Sequence, residues 1–307
     1  MKTIHTATEL GAGSRKVCLA IGFFDGVHLG HQQIIRQTIA DARRHEALAL
    51  VVTFDRHPNT VVAPNRVPPL IYSLPQKLRA VESLGADTLL LIHFDKPFSD
   101  KTGEAFIREL ARDLGRLQSL CVGADFTFGH KRSGNVALLR KLGVELNFAV
   151  HGMAAVSLDG RVVSSTRIRE AIRAGKLDRA GQMLGRAYSL AGRVVPGDRR
   201  GRQLGFPTAN LDTAGLALPP NGVYAAQAAV RGQGHRAVLN IGNRPTVQSP
   251  NPQLVVEAHL LDFDADLYGE EIEISFVEKL RDEKKFASMA ELREQIARDV
   301  SLARSRF

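Results

Sequence analysis

The order of patterns along the chain limits its fold more than any single residue does. From residue 17 to about residue 150, short aliphatic runs alternate with helical stretches; after about residue 187 only short β-prone runs remain, until a final helix. "VCLAIG", "LALVVTF", "TLLLIHF" and "SLCVG" are continuous and apolar, as strands covered on both faces must be. "VELNFAV" alternates instead, with Val144, Leu146, Phe148 and Val150 on one face, which predicts a strand covered on one side. "EAFIRELARDLG" puts Phe106, Ile107, Leu110 and Leu114 on one helical stripe and ends at Gly115, a C-cap. Strand–helix alternation of this kind argues for a parallel sheet with crossover helices. "TRIREAIRAG" and "LDRAGQMLG" predict two short helices, and the join lies near "GRAYSL".

Beyond the join, "YSLAGRVV", "GVYAAQAAV", "RAVLNIG", "LVVEAHLL" and "IEISFV" are separated by Gly, Pro and Asn, the pattern of an antiparallel barrel or sandwich. Ser288 and Glu291 form a capping-box pattern ahead of a stripe of Leu292, Ile296, Val300 and Ala303. The expected fold is α/β followed by mainly β, with domains at 1–186 and 187–307. A length of 307 residues is enough for two cores.

Composition removes several function classes. No apolar run approaches the roughly 20 residues that span a bilayer, and "MKTIHTATELGAGSRK" lacks the apolar core of a secretory signal. Cys18 and Cys121 are far apart, without metal-ligand spacing, and lie in apolar runs. They read as buried thiols of a cytoplasmic protein. The net charge of +9 suits anionic partners such as polyphosphates. Basic runs such as "GDRRGR" are brief and not interleaved with aromatics, so no nucleic-acid partner is expected, and no membrane.

"GFFDGVHLGH", residues 22–31, follows an apolar strand and precedes a helix. Free N–H groups at a helix N-terminus favour anions, and Gly22, Gly26 and Gly30 let the backbone approach a ligand. His28 and His31, three apart, present imidazoles to one spot if the helix has begun; otherwise they are incidental to a solvated turn. "SSTRIRE" at 164–170 offers hydroxyls that either cap a helix or, with Thr166 and Arg169 on one face, meet an anion. In "GADFTFGHKRSG", Asp125 precedes Phe126 and Phe128, which are either core residues or part of a loop over a planar ring.

"GRQLGFPTANL", residues 201–211, holds Thr208 and Asn210 two apart. On an extended strand both offer oxygen to one hard cation; the same letters also spell a turn. Gly192, Gly197, Gly201 and Gly205 make either a phosphate-covering loop or hairpin turns. Val255, Glu257 and His259 share one strand face, so Glu257 is either a solvated acid or a base in a polar pocket.

These motifs together resemble the bifunctional riboflavin kinase/FMN adenylyltransferases, the prokaryotic FAD synthetases. "GFFDGVHLGH" is similar to the family's G-x-F-D-G-x-H-x-G-H signature, "VSSTRIR" to I-S-S-T-x-x-R with Val163 for Ile, and "VGADFTFG" to G-x-x-F-x-F-G. "PTAN", "NGVYAA", "NIGNRPT", "VEAHLLDF", "DLYG" and "LRDEKKF" follow in the family's order. Two positions depart: Arg56 in "TFDRHP" replaces a proline, and Val247 stands where an aromatic follows R-P-T.

The resemblance implies a Rossmann-like nucleotidyltransferase domain and a six-stranded riboflavin kinase barrel. It implies ATP contacts at Gly22, Phe24, Asp25, Gly26, His28, His31, Ser165, Thr166 and Arg169, with Gly201 and Gly205 at the kinase ATP site. Flavin contacts fall on His57, Pro58, Asp125, Phe126, Phe128 and Arg281. Thr208 and Asn210 match the magnesium ligands and Glu257 the catalytic base, while His28, His31 and Arg169 serve the adenylyl transfer. Riboflavin, FMN and ATP are the implied partners, with Mg2+ as cofactor, FAD as product and room for a weak homo-oligomer. Two rivals stay open: an enzyme with one active half and one merely flavin-binding half, and a basic RNA-binding or regulatory module.

Overall fold

The computed structural model describes residues 1–11, 13, 15–197, 200–244 and 253–307. Val247 and the end of "NIGNRPT" lie outside the described residues. The chain forms two compact units, Met1–Leu70 with Leu74–Ser165, and Ile71–Ser73 with Thr166–Phe307.

The first unit is built on six parallel strands: β1 (Lys2–Ile4), β2 (Val17–Ile21), β3 (Leu48–Phe54), β4 (Thr88–Ile92), β5 (Leu117–Gly123) and β6 (Ala149–Met153). Their spatial order is β1-β4-β3-β2-β5-β6, and every pair is parallel. Helices α1 (Leu29–His45), α2 (Leu74–Glu82), α3 (Gly103–Leu114) and α4 (Val136–Leu146) join them. One core, with Leu19, Leu50 and Leu120, packs under Phe106, Ile107 and Leu110 of α3. The other, with Ala20, Val51 and Cys121, packs under Ile34, Ile35 and Ile39 of α1. Burial on both faces is why β2, β3 and β4 at the centre of the sheet are largely aliphatic. From β2 the chain winds one way through β3 and β4, then resumes on the other side at β5. The crevice beyond the strand ends at such a reversal is where open α/β sheets bind ligands.

The alternating segment "VELNFAV" is not one strand. Residues through Leu146 finish α4, Asn147 ends it in the left-handed region (φ 59°), and β6 starts at Ala149. Val144 is 88% exposed. The stretch fits a period of two, but the Asn135 side chain caps the helix N-terminus and Leu139, Leu142 and Gly143 bury its inner face. Those helix signals outweigh the short alternation.

From Thr166 onward the second unit holds the rest of α5 (Ser165–Arg173), then α6 (Leu177–Leu184), β7 (Ser189–Val195), β8 (Ala209–Asp212), β9 (Gly222–Val230), β10 (Gln233–Arg244), β11 (Gln253–Leu260) and β12 (Glu271–Arg281). These six close into a barrel in the order β7-β8-β11-β10-β9-β12, antiparallel at every ladder. Tyr224, Ala226, Ala228 and Val230 of β9 face the barrel core, and alanines leave room for larger residues from opposite strands. Gly192 belongs to β7, not to a loop or turn: a Cβ there would lie 2.6 Å from the Asp212 carbonyl of β8. Helix α7 (Met289–Arg304) closes the chain. The Ser288 hydroxyl accepts from the Glu291 N–H at 3.2 Å, while the Glu291 carboxylate accepts from Ala287 N–H, one residue earlier than a capping box requires.

Candidate active sites

In the first unit, the segment after β2 makes one tight turn before α1. Phe24 sits in the left-handed region (φ 54°), and so does the β-branched Val27 (φ 40°). For such a residue this is a strained conformation, found mainly where surrounding structure and function demand it. Gly22 permits it, since a Cβ there would stand 2.6 Å from the Phe24 ring. His28 is the N-cap of α1, its Nδ1 accepting from the His31 N–H at 3.4 Å. The two imidazoles stack with centroids 3.6 Å apart and planes 19° from parallel. They do meet at one spot, at the free N–H end of a 17-residue helix.

Burial, together with the neighbouring His28 and Lys77, holds His31 well below the usual imidazole range. It is therefore a neutral donor or acceptor at physiological pH. Ser165 Oγ donates to the Asp25 carbonyl at 3.2 Å, so the serine motif and the histidine turn touch. Ser165 is already in the first turn of α5; Thr166 and Arg169, three apart on that helix, fall in the second unit.

His57 packs edge-on against Phe23 (4.9 Å) and its Nδ1 accepts from the Asn59 N–H, which fixes the turn at Pro58. Arg56 reaches the Asp55 carboxylate at 3.2 Å and projects toward solvent. After β5, Phe126 and Phe128 stack at 5.2 Å, half-buried against the core, with Asp125 exposed beside them. Gly134 accepts the Phe128 ring, which a Cβ there would meet at 2.6 Å. The pair is packed against the core of the first unit.

In the second unit a cavity of about 780 Å³ lies between the barrel and α7. Its polar side includes Thr208, Asn240 and Glu257; its apolar side includes Phe286, Leu292 and Ile296. Val255, Glu257 and His259 are half-buried and alternate with buried Val256, Ala258 and Leu260, as a single strand face requires. Glu257 is paired in register with Asn210 on β8 and with Asn240 on β10. Thr208 and Asn210 flank buried Ala209, the first residue of β8, so "PTAN" enters a strand. A Cβ on Gly197 would strike the Asn210 amide, and one on Gly201 the Phe206 carbonyl. Gly201 lies in a short helical turn, Arg200–Gln203, and Gly205 (φ 88°) ends it.

A second cavity of about 390 Å³ shares Thr208 with the first and is bordered by Pro207, Phe263 and Tyr268. Arg281 borders the large cavity, but its guanidinium forks onto Asp299 of α7 at 2.7–3.0 Å. Sequence reading missed two supports. The His259 ring nitrogen is 2.8 Å from the Pro207 carbonyl, which holds the entry to Thr208. Lys77, from α2, is buried beneath the histidine turn.

Against known proteins, the family model described as FAD synthetase matches residues 12–167 and the one described as riboflavin kinase matches residues 184–307. The bifunctional riboflavin kinase/FMN adenylyltransferase of Escherichia coli (strain K12) is 38% identical over 311 residues, covering 100% of this chain and 98% of the relative. That of Haemophilus influenzae is 34% identical with the same coverage. The chain belongs to this bifunctional family. A Pseudomonas fluorescens relative of the same name is 37% identical over 99% of this chain and 97% of its own. A crystal structure described as a macrolide-efflux protein from Streptococcus pneumoniae matches 99% of both chains at TM-score 0.81 and 28% identity. Efflux is the description of that protein; among the described residues here, no helix is long and apolar enough to cross a membrane. The family carries a kinase domain and a nucleotidyltransferase domain in one chain, with riboflavin, FMN and ATP as substrates.

Proposed function

We propose that the barrel phosphorylates riboflavin to FMN and the α/β unit adenylylates FMN to FAD, with the working boundary at residues 186 and 187. The observation that carries the kinase reading is Glu257 on the wall of the large cavity, in register with Asn210 on the neighbouring strand. The isoalloxazine ring fits the apolar side of that cavity, against Leu292 and Ile296, with the ribityl chain directed toward Glu257. Glu257 takes the proton of the 5′-hydroxyl as that oxygen attacks the γ-phosphorus of ATP, the bond from that phosphorus to the β,γ-bridging oxygen breaks, and ADP leaves. Arg281 then acts on the flavin through the wall it builds with Asp299.

Thr208 and Asn210 are neutral oxygen donors on either side of buried Ala209, a set that fits Mg2+ because this ion takes few protein ligands and fills its shell with water and phosphates. When bound there, it neutralises phosphate charge. ATP fits the smaller cavity that shares Thr208, next to the turn of Gly201 and Gly205.

In the other reaction the FMN phosphate attacks the α-phosphorus of ATP and pyrophosphate leaves. That nucleophile is already ionised, so positioning and charge stabilisation are what the protein supplies. His28, His31 and the backbone from Phe23 to Gly26 serve as donors, and Ser165 braces their turn. The flavin is bordered by His57, Pro58, Asp125, Phe126 and Phe128. The two buried free thiols support a cytoplasmic location.

Purified protein incubated with riboflavin, ATP and Mg2+ is expected to yield FMN and then FAD on chromatography. Accumulation of FMN alone would remove the adenylyltransferase half, and unchanged riboflavin would remove both. A fragment of residues 187–307 is expected to make FMN and stop; FAD from it would overturn the proposed boundary.

A further inference from the structure

Lys77 lies on α2, outside every motif discussed above, and is 4% exposed. Its Nζ donates to the Phe54 carbonyl at 2.7 Å and to the Phe23 carbonyl and Thr53 hydroxyl at 3.3 Å. These bonds use all three donors of an ammonium group. None of the acceptors is a carboxylate. The charge also sits 4.5 Å from the centroid of the Phe23 ring. A buried cation satisfied only by neutral groups costs folding energy, and an apolar side chain of similar volume fills such a place at less cost.

What distinguishes Lys77 is its position. Its acceptors lie at the carboxyl ends of β2 and β3, and Phe23 leads directly into the turn carrying Asp25 and His28. We propose that Lys77 is a positioning residue of the adenylylation site. It pins the backbone at Phe23 and supplies positive potential from behind to phosphates held in front by the histidine turn. This rests on the reading that the ATP phosphates bind at that turn.

A buried charge is weakly screened by salt and acts over several ångströms. Burial pulls the Lys77 pKa down to about 8, against the upward pull of Asp25 from the turn and Asp55 from the end of β3; His31 of α1 also feels the Lys77 charge. An anion in front favours the charged lysine, so binding raises its pKa and takes up a proton. The sign follows: affinity for ATP is full below pH 8 and declines as pH rises through it.

The test is the KM for ATP in FMN adenylylation between pH 6.5 and 9.5, using full-length wild type, Lys77→Arg and Lys77→Met. Riboflavin phosphorylation in the same samples is the control and is expected to be unchanged. In the wild type KM is expected to rise above pH 8, by no more than about tenfold per pH unit for one proton. Lys77→Arg stays charged throughout, so the rise disappears. Lys77→Met is expected to show a high, flat KM at every pH. A flat wild-type profile, a rise that persists in Lys77→Arg, or a wild-type KM in Lys77→Met overturns the proposal. Should Lys77→Met fail to fold, the other two profiles decide. Absence of adenylylation in the wild type would instead strike the underlying reading of the site.

Discussion

Asn210 and Glu257 stand opposite each other across the β8–β11 ladder, and Asn240 flanks Glu257 from β10. An acid between two amide-bearing side chains on one half-buried sheet face is held in place by its neighbours' register, not by its own flexibility. Glu257→Gln keeps size and hydrogen bonding but cannot accept a proton. Riboflavin phosphorylation is expected to fall by ~10²–10⁴-fold, the usual worth of a positioned base. FAD synthesis from supplied FMN is expected to persist, because its nucleophile needs no deprotonation. Normal phosphorylation by this variant would leave Glu257 as an ordinary strand acid.

Asp299 links α7 to the barrel. Its carboxylate receives the Arg281 fork and a bond from Gln295 at 2.8 Å, and its side chain is 5% exposed. Asp299→Asn leaves a largely buried guanidinium without its counter-charge. A loss of roughly 3 kcal/mol is the scale for breaking such a pair, read by urea denaturation of the full chain. Because α7 forms one wall of the large cavity, the KM for riboflavin is expected to rise with it. Unchanged stability and KM would mean that α7 is held by its apolar stripe alone.

The strands of both units were legible because burial on two faces or one leaves a direct mark on the order of apolar residues. β2, β3 and β4 are largely aliphatic, as is β5 from Leu120 to Val122, and the half-buried face of Val255, Glu257 and His259 follows from alternation. "VELNFAV" misled because two of its four alternating positions, Val144 and Leu146, fall in the last turn of a helix whose cap, Asn135, lies nine residues upstream of Val144. Lys77 left no signal: "LPQKLRAVE" reads as an ordinary amphipathic helix, and only the tertiary fold carries its amine under the Phe23 turn. The His259 contact with Pro207 is similarly long-range, 52 residues apart in sequence.

Gly22→Ala tests whether the strained turn matters. A methyl group there begins 2.6 Å from the Phe24 ring, which is itself 1% exposed and has nowhere to go. Overpacking of this sort costs typically ~1–3 kcal/mol. FAD synthesis is expected to drop along with stability, while riboflavin phosphorylation continues at temperatures where the variant stays folded. Wild-type stability and FAD synthesis would show that the turn accommodates the methyl.

His31 gives the pH prediction. Its Nδ1 is shielded from solvent and has no hydrogen-bond partner among the described residues, and burial, His28 and Lys77 all disfavour its charged form. The native state therefore keeps His31 neutral at pH values where the unfolded chain, with an imidazole pKa near 6.5, takes up a proton. The sign is fixed by that difference: the contribution to stability is full above pH 6.5 and is lost as pH falls toward the depressed native value. The slope from one such group is at most about 1.4 kcal/mol per pH unit. His31→Gln removes the titrating group, so its denaturation midpoint is expected to fall less than that of the wild type between pH 6.5 and 5. Adenylylation by the wild type is expected to show no His31 ionisation between pH 6.5 and 8, since the ring works as a neutral donor across that range. Parallel stability curves for the two proteins would mean that His31 protonates as readily in the fold as out of it, and that the stacked pair with His28 opens to admit the charge.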